Sequence, residues 1–302
     1  MGSCRKSAII YREALLGDAM KLAAWSNKAH IIGFVFLLAM GLVHPASLTR
    51  AETLIVGGTG SAAPLIGQWA EAYGKRKPNV RVRVIEPPMG SNGSIRAVLA
   101  GAIDLAVPGK PLIEAEKAQG GQDWELGRTP FLVVTEKKPP PPGFTIEQLA
   151  AIYSGKMTTW TDGSPIRLVV RSLSESDTLI LRRLSPGMNQ AIDAALARPG
   201  MLVAANDLEN IDLLEKTPGS LGTSNLALVQ AQNRKLNALP IDGKAPTLAA
   251  LRQGAYPYFK GLYLVRGPKL SPAAQGFLEF ILSLSGKEIL DRSGYVSAPH
   301  QP

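Results

Sequence analysis

GSNGSIRAVLAGAIDLAVPGKPL, running from Gly90 to Leu112, carries three signals in succession. A loop of glycine and small polar residues, Gly90-Ser91-Asn92-Gly93-Ser94, opens the stretch. Ile95, Val98 and Leu99 then recur at the spacing that lines one face of a helix. Ile103 to Val107 is a short apolar strand. Loop, helix and strand in this order make one unit of an α/β layered fold.

The same alternation continues on both sides. Upstream, Thr53 to Gly57 predicts a strand, and Ala63 to Lys75 a helix with Leu65, Trp69, Ala72 and Tyr73 on one stripe. Val80, Val82 and Val84 alternate with Arg81 and Arg83, a half-buried strand that stops at Pro87-Pro88. Downstream, Phe131 to Thr135 reads as a strand running into Lys137-Lys138 and the stiff tract Pro139 to Pro142, where a lobe boundary is expected. Thr145 to Tyr153 predicts a helix. Ile166 to Arg171 predicts a strand leading through Ser174-Glu175-Ser176-Asp177-Thr178 into another helix. The chain is expected to return after Leu226, with a strand at Gly261 to Arg266 and a helix at Pro272 to Leu284. The expected fold is α/β, with mixed, mostly parallel sheets and strands that cross between two lobes, residues 52–136 plus 230–302 and residues 137–229.

The first 51 residues read as an export signal rather than as fold. Ile31 to Val43 is an apolar run too short to span a bilayer comfortably, preceded by Lys21 and Lys28. Thr49-Arg50-Ala51 offers small residues for cleavage after Ala51, and Met20 is an alternative start. A retained anchor is the competing reading. No cysteine follows the apolar run, which excludes the usual lipoprotein anchor. A periplasmic location follows from the signal reading.

Composition excludes several function classes. The chain carries 33 Lys and Arg against 24 Asp and Glu; beyond residue 51 the counts are 27 and 22. This mild basic excess suits an anionic ligand, and no Lys/Arg stripe interleaved with aromatics points to nucleic acid. The single cysteine, Cys4, lies upstream of the folded part, so disulfides, cysteine metal sites and cysteine nucleophiles are not expected. His300 is the only histidine beyond residue 51, and no G-x-S-x-G elbow is present, so no Ser-His-Asp triad can be assembled. No catalytic, metal or cofactor constellation emerges, and an enzyme is not expected.

Three loops have the composition that cradles an anion: Gly57 to Ser61, Gly90 to Ser94, and Ser174 to Thr178. Each lies between a strand signal and a helix signal. Glycine allows close backbone approach, hydroxyls donate without adding charge, and first-turn amides lack partners. Ordinary helix capping explains any one of them alone. The candidate ligand-binding residues are Thr59, Gly60, Ser61, Ser91, Asn92, Gly93, Ser94, Arg171, Ser174, Ser176, Asp177 and Thr178. Arg171 would give charge-assisted bonds to an oxyanion, and Lys110 is a second basic candidate. A competing reading takes Gly58 to Ala63 as G-x-G-x-x-A with Glu86 as the ribose acid, the pattern of an exported NAD-dependent oxidoreductase. Against it stand the export signal, the Pro87-Pro88 break and the second glycine-serine loop.

The quoted stretch resembles the periplasmic phosphate-binding proteins of ABC importers, which have a Gly-Ser-Ser-Gly-Gly loop, a helix and a strand before Pro-Leu at this point. IVGGTGSAAPLIGQWAEAY, TIEQLAAIYSGKMTTWTDG, PGSLGTSNLALV, YPYFKGLYLVRG and FLEFILSLSGKEILDRSGYVSA are similar to further segments of that family, in its order. The resemblance implies a two-lobed type II periplasmic-binding fold, a small oxyanion as ligand and an inner-membrane ABC permease as partner. It places Ser91, Ser176 and Thr178 at ligand positions and Thr59 to Ser61 in the first binding loop. The chain departs from the pattern at Gly109, where the family has an aspartate that accepts a proton from phosphate. It departs again at Ser172, the family's arginine position, with Arg171 one place earlier, and at Asp177, which replaces a glycine. A sensory or protein-binding module with an altered anion site is the alternative these departures leave open.

Overall fold

The protein is described by a computed structural model over residues 51–298. The signal reading for residues 1–51 and His300 lie outside the described residues, apart from Ala51.

The chain opens with β1 (Glu52–Gly58), a single 3-10 turn at Gly60–Ala62 and α1 (Ala63–Arg76). Of the predicted stripe, Leu65, Trp69 and Tyr73 are buried and Ala72 is half-buried, and Ile66 joins them in facing the core. Next come β2 (Val80–Val84), α2 (Gly90–Leu99), β3 (Leu105–Val107), the short α3 (Glu114–Lys117) and β4 (Gln122–Thr135). After the proline tract come α4 (Ile146–Tyr153), β5 (Arg167–Arg171), α5 (Ser176–Arg182), α6 (Pro186–Leu196), β6 (Leu202–Ala204) and α7 (Asp207–Lys216). The chain ends with β7 (Ser220–Asn225), α8 (Leu226–Ala231), β8 (Asn237–Leu239), α9 (Leu248–Arg252), β9 (Phe259–Arg266), α10 (Pro272–Leu282), α11 (Leu284–Arg292) and β10 (Val296–Ser297).

The strands form one mixed α/β sheet in the order β2-β1-β3-β9-β4-β7-β5-β6, with β8 and β10 also pairing with β4. β2, β1 and β3 are parallel, as are β7, β5 and β6. Between these wings β9 and β4 run antiparallel to their neighbours. β4 is the long crossing element. Its residues Gln122 to Pro130 pair with β9, and Phe131 to Val134 pair with β7. At the change of partner, Phe131 N donates to Tyr258 O at 3.0 Å.

Two main apolar cores lie on either side of this crossing. One gathers Leu54, Val56, Leu65, Trp69 and Leu105 with Phe277, Ile281, Ile289 and Tyr295. The other gathers Phe131, Phe144, Leu149, Tyr153, Val170, Met188 and Leu221 with Leu239, Ile241 and Tyr256. The proline tract does not separate them, because Val133 before it and Phe144 after it share the second core. Residues 237–258, expected in lobe 1, also pack there. The reason is pairing: Asn237 to Leu239 lie antiparallel to Thr135 to Val133. The chain rejoins the first core at Leu262 of β9, past the Phe131 crossing. The helix expected at Pro272 to Leu284 is α10, which stops two residues earlier; Ser283 follows it and caps α11, its hydroxyl accepting from Gly286 N. Among the described residues no helix is long and apolar enough to cross a membrane.

Candidate functional site

The predicted loops converge where β1, β3 and β9 approach the start of α5 and α7. β1 leads into Thr59, and Thr59 N donates to Val107 O at 3.1 Å, tying this loop to the end of β3. Val107 is followed by Pro108 and Gly109. Gly109 N donates to Ser91 Oγ at 2.9 Å, so the first turn of α2 is fixed against the loop after β3. A methyl group at Gly109 would sit 3.1 Å from Lys260 Cε, 3.2 Å from Ser176 Oγ and 3.5 Å from Ser91 Oγ. The absence of a side chain at 109 is therefore what allows Lys260, Ser176 and Ser91 to share one spot.

A carboxylate stands at the centre of the convergence. Asp207, the first residue of α7, accepts from Thr59 Oγ1 at 2.5 Å and from Ser61 N at 2.9 Å through one oxygen. Its other oxygen takes Arg171 Nη1 at 2.6 Å and Lys260 Nζ at 3.3 Å. Lys260 Nζ also lies 2.7 Å from Asp177 Oδ1. Thr223 Oγ1 donates to the second oxygen of Asp177 at 3.3 Å. Arg171 extends to Glu175 with its other terminal nitrogen, at 2.7 Å. The side chains of Arg171, Lys260, Asp177 and Asp207 are each 5% exposed or less. Gly60 makes the approach of α7 possible, since a methyl there would meet Asp207 Cβ at 3.0 Å.

Charges this deep are tolerated only when paired and hydrogen-bonded. Burial alone would push the Asp207 carboxyl up. Lys260 and Arg171 beside it, with the Thr59 hydroxyl, reverse that and hold it well below the usual carboxylate range. Lys260 and Arg171 lose charge stabilisation through burial, but the surrounding carboxylates more than restore it and both are raised. Glu175 is raised as well, chiefly by burial, against the pull of Arg171. Two cations thus face three carboxylates. Among the described residues Arg171 Nε is buried without a hydrogen-bond partner. No group of His, Cys, Asp and Glu among them could hold a metal ion.

Each candidate residue has a definite place. Thr59, Ser61, Arg171 and Asp177 join the buried cluster, with Gly60 as the close-approach residue. Ser91 and Ser176 line its edge. Thr178 is buried, but its hydroxyl donates to Arg171 O at 3.1 Å, closing the turn into α5. Asn92 lies at the rim, with Nδ2 donating to Ser174 O at 3.1 Å; Ser174 therefore contributes its carbonyl. Ser94 turns back into its own helix, Oγ to Ser91 O at 3.1 Å, and Gly93 packs against Met89. Lys110 pairs with Glu116 at 3.8 Å and stands apart from the cluster. In the competing dinucleotide loop, Ser61 N is already committed to Asp207.

Residues 44–285 match the model of the PBP superfamily domain. The chain belongs to the PBP superfamily. Its curated relatives include the phosphate-binding protein PstS of Borreliella burgdorferi, 23% identical over 278 residues, which cover 88% of this chain and 98% of that one. Among solved structures it is similar to a candidate phosphate ABC transporter substrate-binding protein from Clostridium perfringens with bound phosphate, at a TM-score of 0.71 and 20% identity. That match covers 82% of this chain and 100% of the other. An ABC-type phosphate transport receptor from Vibrio cholerae matches at 0.60 and 20%, over 82% and 100%. These likenesses fix the PBP fold. Within it, three charged members of the cluster were not among the candidate residues: Glu175 and Asp207, which read as ordinary acids at helix starts, and Lys260. Lys260 did carry a signal, as a charge between Phe259 and Gly261 near the start of a largely apolar strand.

Proposed function

We propose that the chain is an exported substrate-binding protein that captures a small oxyanion, phosphate or an ion like it, for an inner-membrane ABC importer. One observation carries this reading. A hydroxyl, a backbone amide, an arginine and a lysine from separate segments converge on one carboxylate, so the site is constructed around two oxygens of an anion. The PstS and phosphate-receptor likenesses support phosphate as the first candidate, and the apolar run at Ile31 to Val43 supports export to the periplasm. The two cores would belong to two lobes that close over the ligand by bending at the paired crossings near Phe131 and Tyr258. The protein acts here by binding rather than by catalysis.

The test is a thermal-shift screen of the purified protein against phosphate, sulfate, molybdate, phosphonates, organic acids and NAD at low salt. A ligand that binds only the native state raises the melting temperature by mass action. A selective rise with one oxyanion is expected. A rise with NAD alone would replace this reading with the oxidoreductase one. No rise with any anion would turn the fold toward a sensory or protein-binding role.

A further inference from the structure

We propose that Asp207 is the protein's own occupant of the oxyanion subsite, and that its carboxylate sets which ions the site accepts. The inference rests on the binding reading above and goes beyond it. An ordinary helix-start acid bonds amides of its own helix. Here that work falls to Asn206, whose Oδ1 accepts from Leu208 N and Glu209 N. Asp207 points away from α7 and takes four donors from elsewhere: Thr59 Oγ1, Ser61 N, Arg171 Nη1 and Lys260 Nζ. Thr59 and Ser61 are 148 and 146 residues away in sequence. They belong to the segment whose strand feeds the first core, whereas Leu214 of α7 packs with Leu132, Val134 and Val169 beyond the crossing. The carboxylate thus bonds across the cleft and ties its two sides together without a diffusible ligand.

The donor set specifies what can replace it. An incoming ion must present two oxygens on one centre, one for the Thr59 and Ser61 pair and one for the Arg171 and Lys260 pair. It must also displace a charge already matched to those cations, while Asp177 and Glu175 remain beside it. Formate, acetate, phosphate and sulfate share the necessary chemistry; chloride does not. Wild-type affinity for such ions is then held down by competition from an attached carboxylate whose effective concentration is high.

Melting temperatures of the full chain, wild type and Asp207→Gly, are compared at fixed ionic strength with formate, acetate, sulfate or inorganic phosphate, chloride serving as control. The variant is expected to melt lower in chloride and to regain most of the loss with an oxyanion, its rise with phosphate exceeding that of wild type. Titration calorimetry with phosphate is expected to show binding about tenfold or more tighter to the variant than to wild type. If Asp207→Gly fails to fold, Asp207→Asn keeps the volume, removes the charge and is read in the same way. Equal phosphate affinity in wild type and a folded variant would overturn the internal occupant and leave the binding function standing. A folded variant and wild type that both ignore every oxyanion would overturn both.

Discussion

Lys260 shows how much one side chain can organise. Its ammonium is shared by Asp177 at 2.7 Å and Asp207 at 3.3 Å, and its stem fills the space beside Gly109. Lys260→Met preserves the stem and removes the charge, leaving two buried carboxylates with less compensation. Breaking a buried pair from one side costs about 3–5 kcal/mol, so urea unfolding should show a loss of that order. Adding Asp177→Asn should return part of it, giving a non-additive double-mutant cycle. Ser91→Ala removes the acceptor of Gly109 N and should destabilise by about 1–3 kcal/mol, because a buried donor is left unpaired. Thr178→Ala removes a hydroxyl bond to Arg171 O worth about 1 kcal/mol and loosens the turn that aims the guanidinium. Both variants should remain cooperatively folded and bind the oxyanion more weakly in calorimetry. Unchanged affinity in both would place the binding cleft elsewhere.

At the scale of elements, α4 offers a clean measurement. Thr145 Oγ1 accepts from Gln148 N at 3.2 Å, and Gln148 Oε1 accepts from Thr145 N at 2.9 Å, a reciprocal cap on an exposed helix start. Thr145→Ala should cost about 1 kcal/mol in thermal unfolding and leave ligand binding unchanged. The helix that this cap starts, the Leu65-Trp69-Tyr73 stripe of α1 and the alternation of β2 were all legible in the sequence, because neighbours along the chain determine them. The first half of β4 was not. Gly127 and Pro130 interrupt the run Gln122 to Pro130, and only its pairing with β9, including a register shift between Glu125 and Gly127, makes it a strand. The end of α10 was placed two residues late, since Ser283 both follows that helix and caps α11. Asp207 was invisible as a site residue because its partners are distant in sequence. The close approach at Thr59, Gly60 and Ser61 was legible because glycine and hydroxyls mark one wherever they occur. What they approach is decided by the fold.

For the whole molecule, the buried cluster makes stability depend on acid. Asp207 is held well below its ordinary value, so its contribution is present above the unfolded carboxylate pKa of about 3.9 and is lost as pH falls through the folded value. Glu175 acts in the opposite sense: raised mainly by burial, it favours the fold most when protonated. Wild type should therefore lead Asp207→Asn clearly at pH 5, and the gap should narrow in urea melts toward pH 2; a constant gap would contradict the ion pairing. The composition of the first core has a different consequence, one of timing. Trp69 is fully buried, and its indole donates to Gly286 O at 3.0 Å, 217 residues further along. Phe277, Ile289 and Tyr295 close the same core. A chain emerging from the ribosome with its N-terminus first cannot complete that core until Tyr295 has been made. Contacts so distant in sequence also form slowly. Closure of the first core therefore waits on its C-terminal helices, a delay that would suit the exported protein proposed above.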